Sequence, residues 1–118
     1  MGDSFQGVAD IILQPGSATV PYTFTFAAAS SATANDGSLP YGTTISTGVV
    51  IAYDEAGNVV TTEMIASESN TSTVQTVNLK YPATTGAGRY SLEMVLTLDS
   101  GAVMEFDFTR VFAKDISA

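Results

Sequence analysis

Residues 86–112 read GAGRYSLEMVLTLDSGAVMEFDFTRVF and carry the clearest structural signal in the chain. From Tyr90 to Leu98 every second residue is apolar: Tyr90, Leu92, Met94, Leu96 and Leu98. Ser91, Glu93, Val95 and Thr97 fall between them. A period of two is that of a β-strand, whose successive side chains point to opposite faces. Asp99-Ser100-Gly101 then supplies a tight turn, since glycine accepts the positive φ such turns need. The chain returns through Met104, Phe106 and Phe108, alternating with Glu105, Asp107 and Thr109. The result is one long hairpin with an apolar and a polar face. Arg110 breaks the pattern, because unbroken alternation puts it on the apolar side after Phe108. Either a bulge near Thr109–Arg110 turns Val111 or Phe112 inward, or the arginine lies at the rim of the core with its head in water.

The same period recurs upstream. Val20-Pro21-Tyr22-Thr23-Phe24-Thr25-Phe26 alternates, with Val20, Tyr22, Phe24 and Phe26 expected inward and Pro21 suited to a strand start or an unpaired side. Before it, Val8 to Leu13 reads as a short strand closed by the turn Gln14-Pro15-Gly16-Ser17. Ala27 to Tyr41 is rich in Ala, Ser, Asn, Asp and Gly and reads as a long loop, with a helical turn allowed at Ala27–Ala34. A second hairpin is expected from Thr44–Tyr53 (TISTGVVIAY) and Val59–Ile65 (VVTTEMI) around Asp54-Glu55-Ala56-Gly57-Asn58. A polar stretch, Ala66 to Thr71, precedes a strand from Ser72 to Tyr81. The strands expected are near residues 7–13, 19–27, 44–53, 58–65, 72–81, 88–98 and 103–112. Seven short strands with turns between them predict an all-β, immunoglobulin-like antiparallel β-sandwich. The whole chain, 1–118, is expected to be one domain with its core at about 7–113.

Composition narrows the function. The chain has no cysteine and no histidine, which removes the Cys–His and Ser–His–Asp nucleophile systems and the commonest general base and metal ligand. Twelve acidic against four basic residues give a net charge of −8. With only Lys80, Arg89, Arg110 and Lys114 to meet phosphates, nucleic acid and anionic membranes are not expected partners. The start, MGDSFQGVAD, lacks the basic and apolar regions of a signal peptide, and no apolar run approaches a membrane span. A soluble, non-enzymatic chain is expected.

No residue is assigned a catalytic, cofactor-binding or metal-binding role. Asp54–Asn58 has the oxygen-rich composition of a cation loop but lacks the alternating acids of an EF-hand, and it reads as a turn. Asn35-Asp36-Gly37 is likewise loop chemistry. Glu105 and Asp107 share a strand face at a spacing that glycosidase carboxylates use; an alternating acidic face reads more simply as solvated sheet. Asn70-Thr71-Ser72 matches the N-glycosylation pattern, which matters only in eukaryotic secretion. Val50, Val60, Val74, Val95 and Val111 are expected on outward faces, as a docking surface or as ordinary β-branched strand surface. Tyr41, Phe5 and Tyr81 are the aromatics free of the expected core.

Gly88-Arg89-Tyr90-Ser91-Leu92 resembles the G-x-Y-x-C pattern that opens the sixth strand of immunoglobulin-like domains, with Leu92 in the half-cystine's place. The resemblance implies a tyrosine corner in which the Tyr90 hydroxyl binds backbone. Taken together, YTFTFAAAS (22–30), VVIAYDEAGNVV (49–60) and GAGRYSLEMVLTLDSGAVMEFDF (86–108) resemble the small immunoglobulin-like proteins of tailed bacteriophages and prophages, of the fibre–tail or head–tail adaptor type. That resemblance spans roughly residues 18–113. It implies a virion structural or adaptor protein, assembled in the bacterial cytoplasm, whose partners are other virion or tail components and copies of itself. The alternative is an immunoglobulin-like binding module of a bacterial surface or extracellular protein.

Overall fold

The computed structural model describes residues 10–15, 19–34 and 36–114, together with the backbone of Asp3 and Ser4. Phe5, residues 7–9 of the first expected strand, Gly16 and Ser17 of the following turn and Asn35 lie outside the described residues. The strands are β1 (Asp3–Ser4), β2 (Ile11–Leu13), β3 (Val20–Thr25), β4 (Ile45–Asp54), β5 (Ile65–Asn70), β6 (Val74–Leu79), β7 (Gly88–Leu98) and β8 (Val103–Ala113). A single helical turn, α1 (Thr61–Met64), precedes β5. Two sheets form. The larger runs β1-β8-β7-β4, with β2 also on β8, and the smaller runs β3-β6-β5. These are the C-F-G and B-E-D arrangements of an immunoglobulin sandwich. The fold is all-β and immunoglobulin-like, with seven strands of three residues or more and the two-residue β1.

The terminal hairpin forms as its alternation demands. Tyr90, Leu92, Met94, Leu96, Leu98, Phe106 and Phe108 are buried between the sheets. Phe108 meets Phe24 of the other sheet edge to face at 5.4 Å, and Phe106 lies 4.9 Å from Phe26. Each fully buried side chain of this size contributes roughly 1.5–3 kcal/mol by leaving water. Opposite the single residue Ser91, the two residues Thr109 and Arg110 bulge from β8, because Tyr90 pairs with Val111 and Leu92 with Phe108. The bulge turns Val111 into the core. Arg110 lies half-buried beside it, its guanidinium 5.1 Å from the Phe108 ring centre and 3.7 Å from Asp10.

Four expectations change. The first strand is not antiparallel to its neighbour: β2 runs parallel to β8, Ile11 opposite Val111 and Leu13 opposite Ala113. The stretch 58–65 is not a strand. Val59 makes one bridge to Tyr53, after which the Val60 carbonyl accepts the N–H groups of Glu63 and Met64 and the chain turns helically toward the other sheet. The polar stretch after it is the strand β5, paired with β6. Finally, Val50, Val60 and Val111 are buried rather than outward; Val20 keeps the inward parity of Tyr22 and Phe24, paired with Leu79, but at the end of β3 it is 40% exposed. A register shift between Ile45 and Thr47 brings Val50 to the same buried face as Ile45. The helical turn buries Val60, and the β8 bulge buries Val111.

Candidate functional site: the outer face of the large sheet

Residues of β4, β7 and β8 that do not enter the core stand on the outer face of the large sheet, apart from the bulged Arg110, which lies against Asp10 and the Phe108 ring. Register arranges them in rows. Val49, Val95 and Glu105 form one, Ile51, Glu93 and Asp107 the next, and Tyr53 pairs with Ser91 in a third. Val49 and Val103 are 49% and 59% exposed. Glu93 and Asp107 are direct cross-strand neighbours, an arrangement of like charges that destabilises a sheet. Loss of hydration, then the charges of Glu93 and Glu105, push the Asp107 carboxyl above its ordinary pKa. The Tyr53 hydroxyl donates to Glu93 Oε1 at 3.1 Å, and that bond raises the phenol's own pKa.

The cations stand at the other end of this face. Arg89 is opposite Phe112 and donates from Nε to the Thr109 carbonyl at 3.2 Å. The Lys114 ammonium lies 5.9 Å from the Phe112 ring centre. Glu105 and Asp107, singled out by sequence, are thus joined by Glu93, which sequence reasoning did not connect to them. Among the described residues no group of three or more acidic side chains is placed to hold a metal ion. No described helix is long and apolar enough to cross a membrane.

Five other carboxylates bind backbone: Asp36, Asp54, Glu63, Glu68 and Asp99. Val50 N–H donates to Glu68 Oε2 at 2.9 Å, and Ala52 N–H to Thr61 Oγ1 at 3.1 Å. Ala52 and Asp54 are further engaged by Val60 and Asn58, so the outer edge of β4 is covered along most of its C-terminal half. Asp54 accepts from the Asn58 N–H and side-chain amide at 2.8 and 3.2 Å, bonds that lower its pKa and close the 54–58 turn. Asp36 accepts from the N–H and hydroxyl of Ser30 and so ties the loop after β3. Asn70-Thr71-Ser72 forms the β5–β6 turn, in which Thr71 Oγ1 accepts the Val74 N–H.

The corner is present. Tyr90 donates its hydroxyl to the Gly86 carbonyl at 2.6 Å. Glu63 steadies the same loop by accepting from Thr84 N–H, Thr85 N–H and the Thr85 hydroxyl. Tyr41 is 57% exposed beside a shallow groove of about 280 Å³ whose lining includes Ser31, Ser38, Pro40 and Met104. Tyr81 is packed against the core. No known family model matches the chain, and no curated protein matches it.

Proposed function

We propose that this chain is a non-enzymatic assembly module, a structural or adaptor protein of a phage or prophage virion acting through protein–protein contacts. The observation that carries the reading is how its polar groups are used. Asp36, Asp54, Glu63, Glu68 and Asp99 each accept backbone N–H groups of a loop or strand. This makes a stiff block with a guarded β4 edge, and leaves the broad outer face of the large sheet to meet neighbours. The phage and prophage resemblance of the strand and turn motifs supplies the setting. The test is binding of the purified chain to tail and capsid components of the same genetic element. Micromolar binding to one of them at low salt supports the reading; no binding to any overturns it.

A second reading, an extracellular binding module, is favoured by Tyr41 alone, an exposed aromatic beside a shallow groove, lined mostly by apolar residues, that also carries the hydroxyls of Ser31 and Ser38. It predicts reproducible glycan-array hits that Tyr41→Ala removes.

A further inference from the structure

The outer face of the large sheet carries its charges in a self-complementary order. On β7, Arg89 and Glu93 stand two residues to either side of Ser91. On β8, Phe112 lies across from Arg89 and Asp107 across from Glu93. Two residues further out stand Lys114, just past the end of β8, on one side and Glu105 on the other. Turning the face end for end about the Ser91 row therefore exchanges Arg89 with Glu93 on β7 and Lys114 with Glu105 along β8, while Arg110, bulged beside that row, has its charge met within the chain by Asp10.

We propose that this face pairs with the same face of a second copy of the chain, about a two-fold axis running across the strands at Ser91. The inference rests on reading the chain as an assembly module. A two-fold interface uses one patch on both partners, each contact occurring twice. Here Arg89 meets Glu93 of the second copy, Lys114 meets Glu105, and Phe112 packs beside Asp107. The other face-to-face two-fold, with its axis along the strands, keeps every residue at its own height and so lays the Glu93–Asp107 row on the same acidic row of the second copy. Like charges brought together in this way repel, so charge order selects a single orientation.

Two further observations favour this occupant. Among the described residues no side chain forms an ion pair with Glu93, Glu105 or Asp107, although they crowd one another at a cost in stability. The rows holding them also expose Val49 and flank it with the half-buried Ile51 and Val95, apolar area that packing of one sheet on another covers.

Sedimentation velocity on the isolated chain, over a wide concentration range at low salt, tests the pairing. A concentration-dependent dimer that weakens as salt rises is expected. R89E and E93R should each weaken dimerisation roughly tenfold or more, and the double variant R89E/E93R should restore it, since each swapped charge again meets its opposite. K114E, E105K and their combination repeat the test on β8. All these positions lie outside the core, and circular dichroism confirms folding. A monomer at every concentration, single variants that associate like the parent, or a double variant no better than the singles would each overturn the proposal. No tail component is present in this experiment, so its failure leaves the adaptor reading standing, and absence of tail binding leaves the dimer standing.

Discussion

The side-chain oxygen of Gln75, on β6, occupies the space where a Cβ on Gly48 of β4 would stand. The Gln75 amide is wholly buried, and its Nε2 donates to the Ser69 and Thr76 carbonyls at 3.1 and 3.3 Å. Those bonds fix its orientation and send Oε1 across the sandwich, where it meets no conventional donor among the described residues. The Gly48 Cα hydrogen faces it, a weak Cα–H···O contact. One polar side chain thus sets the spacing of the two sheets against a position that only glycine fits.

Gly48→Ala drives a methyl group into that amide and should cost about 1–3 kcal/mol. Gln75→Ala is destabilising by itself, because two hydrogen bonds are lost, yet it makes room for the methyl group. The double variant should therefore be less destabilised than the sum of the singles, with a coupling of about 1 kcal/mol or more in urea denaturation. Simple additivity would show that the two residues do not set each other's environment.

Tyr90→Phe keeps the buried ring and removes only the hydroxyl that binds Gly86. The expected loss is about 1–2 kcal/mol, the cost of leaving one acceptor without its donor. Equal stability of the variant in chemical denaturation would reduce the corner to packing.

Two carboxylates make opposite contributions to the pH dependence of stability. Bonds from the N–H and hydroxyl of Thr85, and from Thr84, hold Glu63 below its ordinary pKa. Its stabilisation is complete above the ordinary glutamate range, about pH 4, and is lost as pH falls through the lowered folded value. Asp107 is raised, so its charge opposes folding above the raised pKa, and that cost disappears below the ordinary aspartate range. Glu63→Gln should lower Tm at neutral pH and flatten the acid limb. Asp107→Asn should raise Tm at neutral pH and lose its advantage in acid. Melting curves from neutral to acid pH decide both, and a change of the opposite sign at neutral pH in either variant contradicts its assignment.

A Cβ on Gly37 would overlap the backbone of Ala27, Ala28 and Ala29, the segment that Ser38 and Leu39 hydrogen-bond. Rigid backbone cannot yield as a side chain can. Gly37→Ala should cost about 2 kcal/mol or more and open the 27–41 loop, which limited proteolysis would show as new cleavage there. An uncleaved, equally stable variant would mean that the loop has slack.

Strict alternation made the β7–β8 hairpin readable from sequence, and the misplaced Arg110 located the bulge. The crossing at 59–65 was not readable, for a simple reason. Val60 and Met64 are four residues apart, a spacing that satisfies a strand's period of two and a helix's period of 3.6 alike over so short a run. Strand β5 carried no apolar signal, since the side chain it sends toward the other sheet at mid-strand is Glu68, bound to the edge of β4. The acidic half of the candidate face follows from counting back across the turn, which puts Glu93 opposite Asp107. Its cationic half does not: Arg89 reaches Phe112 only after the bulge shifts the register by one. Cross-strand chemistry becomes legible only when bulges are placed.

The parallel pairing of β2 with β8 has a mechanical consequence. Tension that pulls the chain upstream of Ile11 away from the chain downstream of Ala113 draws these two strands past each other along their length. The Ile11–Leu13 ladder is then loaded in shear, its hydrogen bonds sharing the force instead of parting one at a time. An immunoglobulin-like block clamped in this way resists extension along its chain, a useful property wherever neighbouring parts of an assembly pull on it.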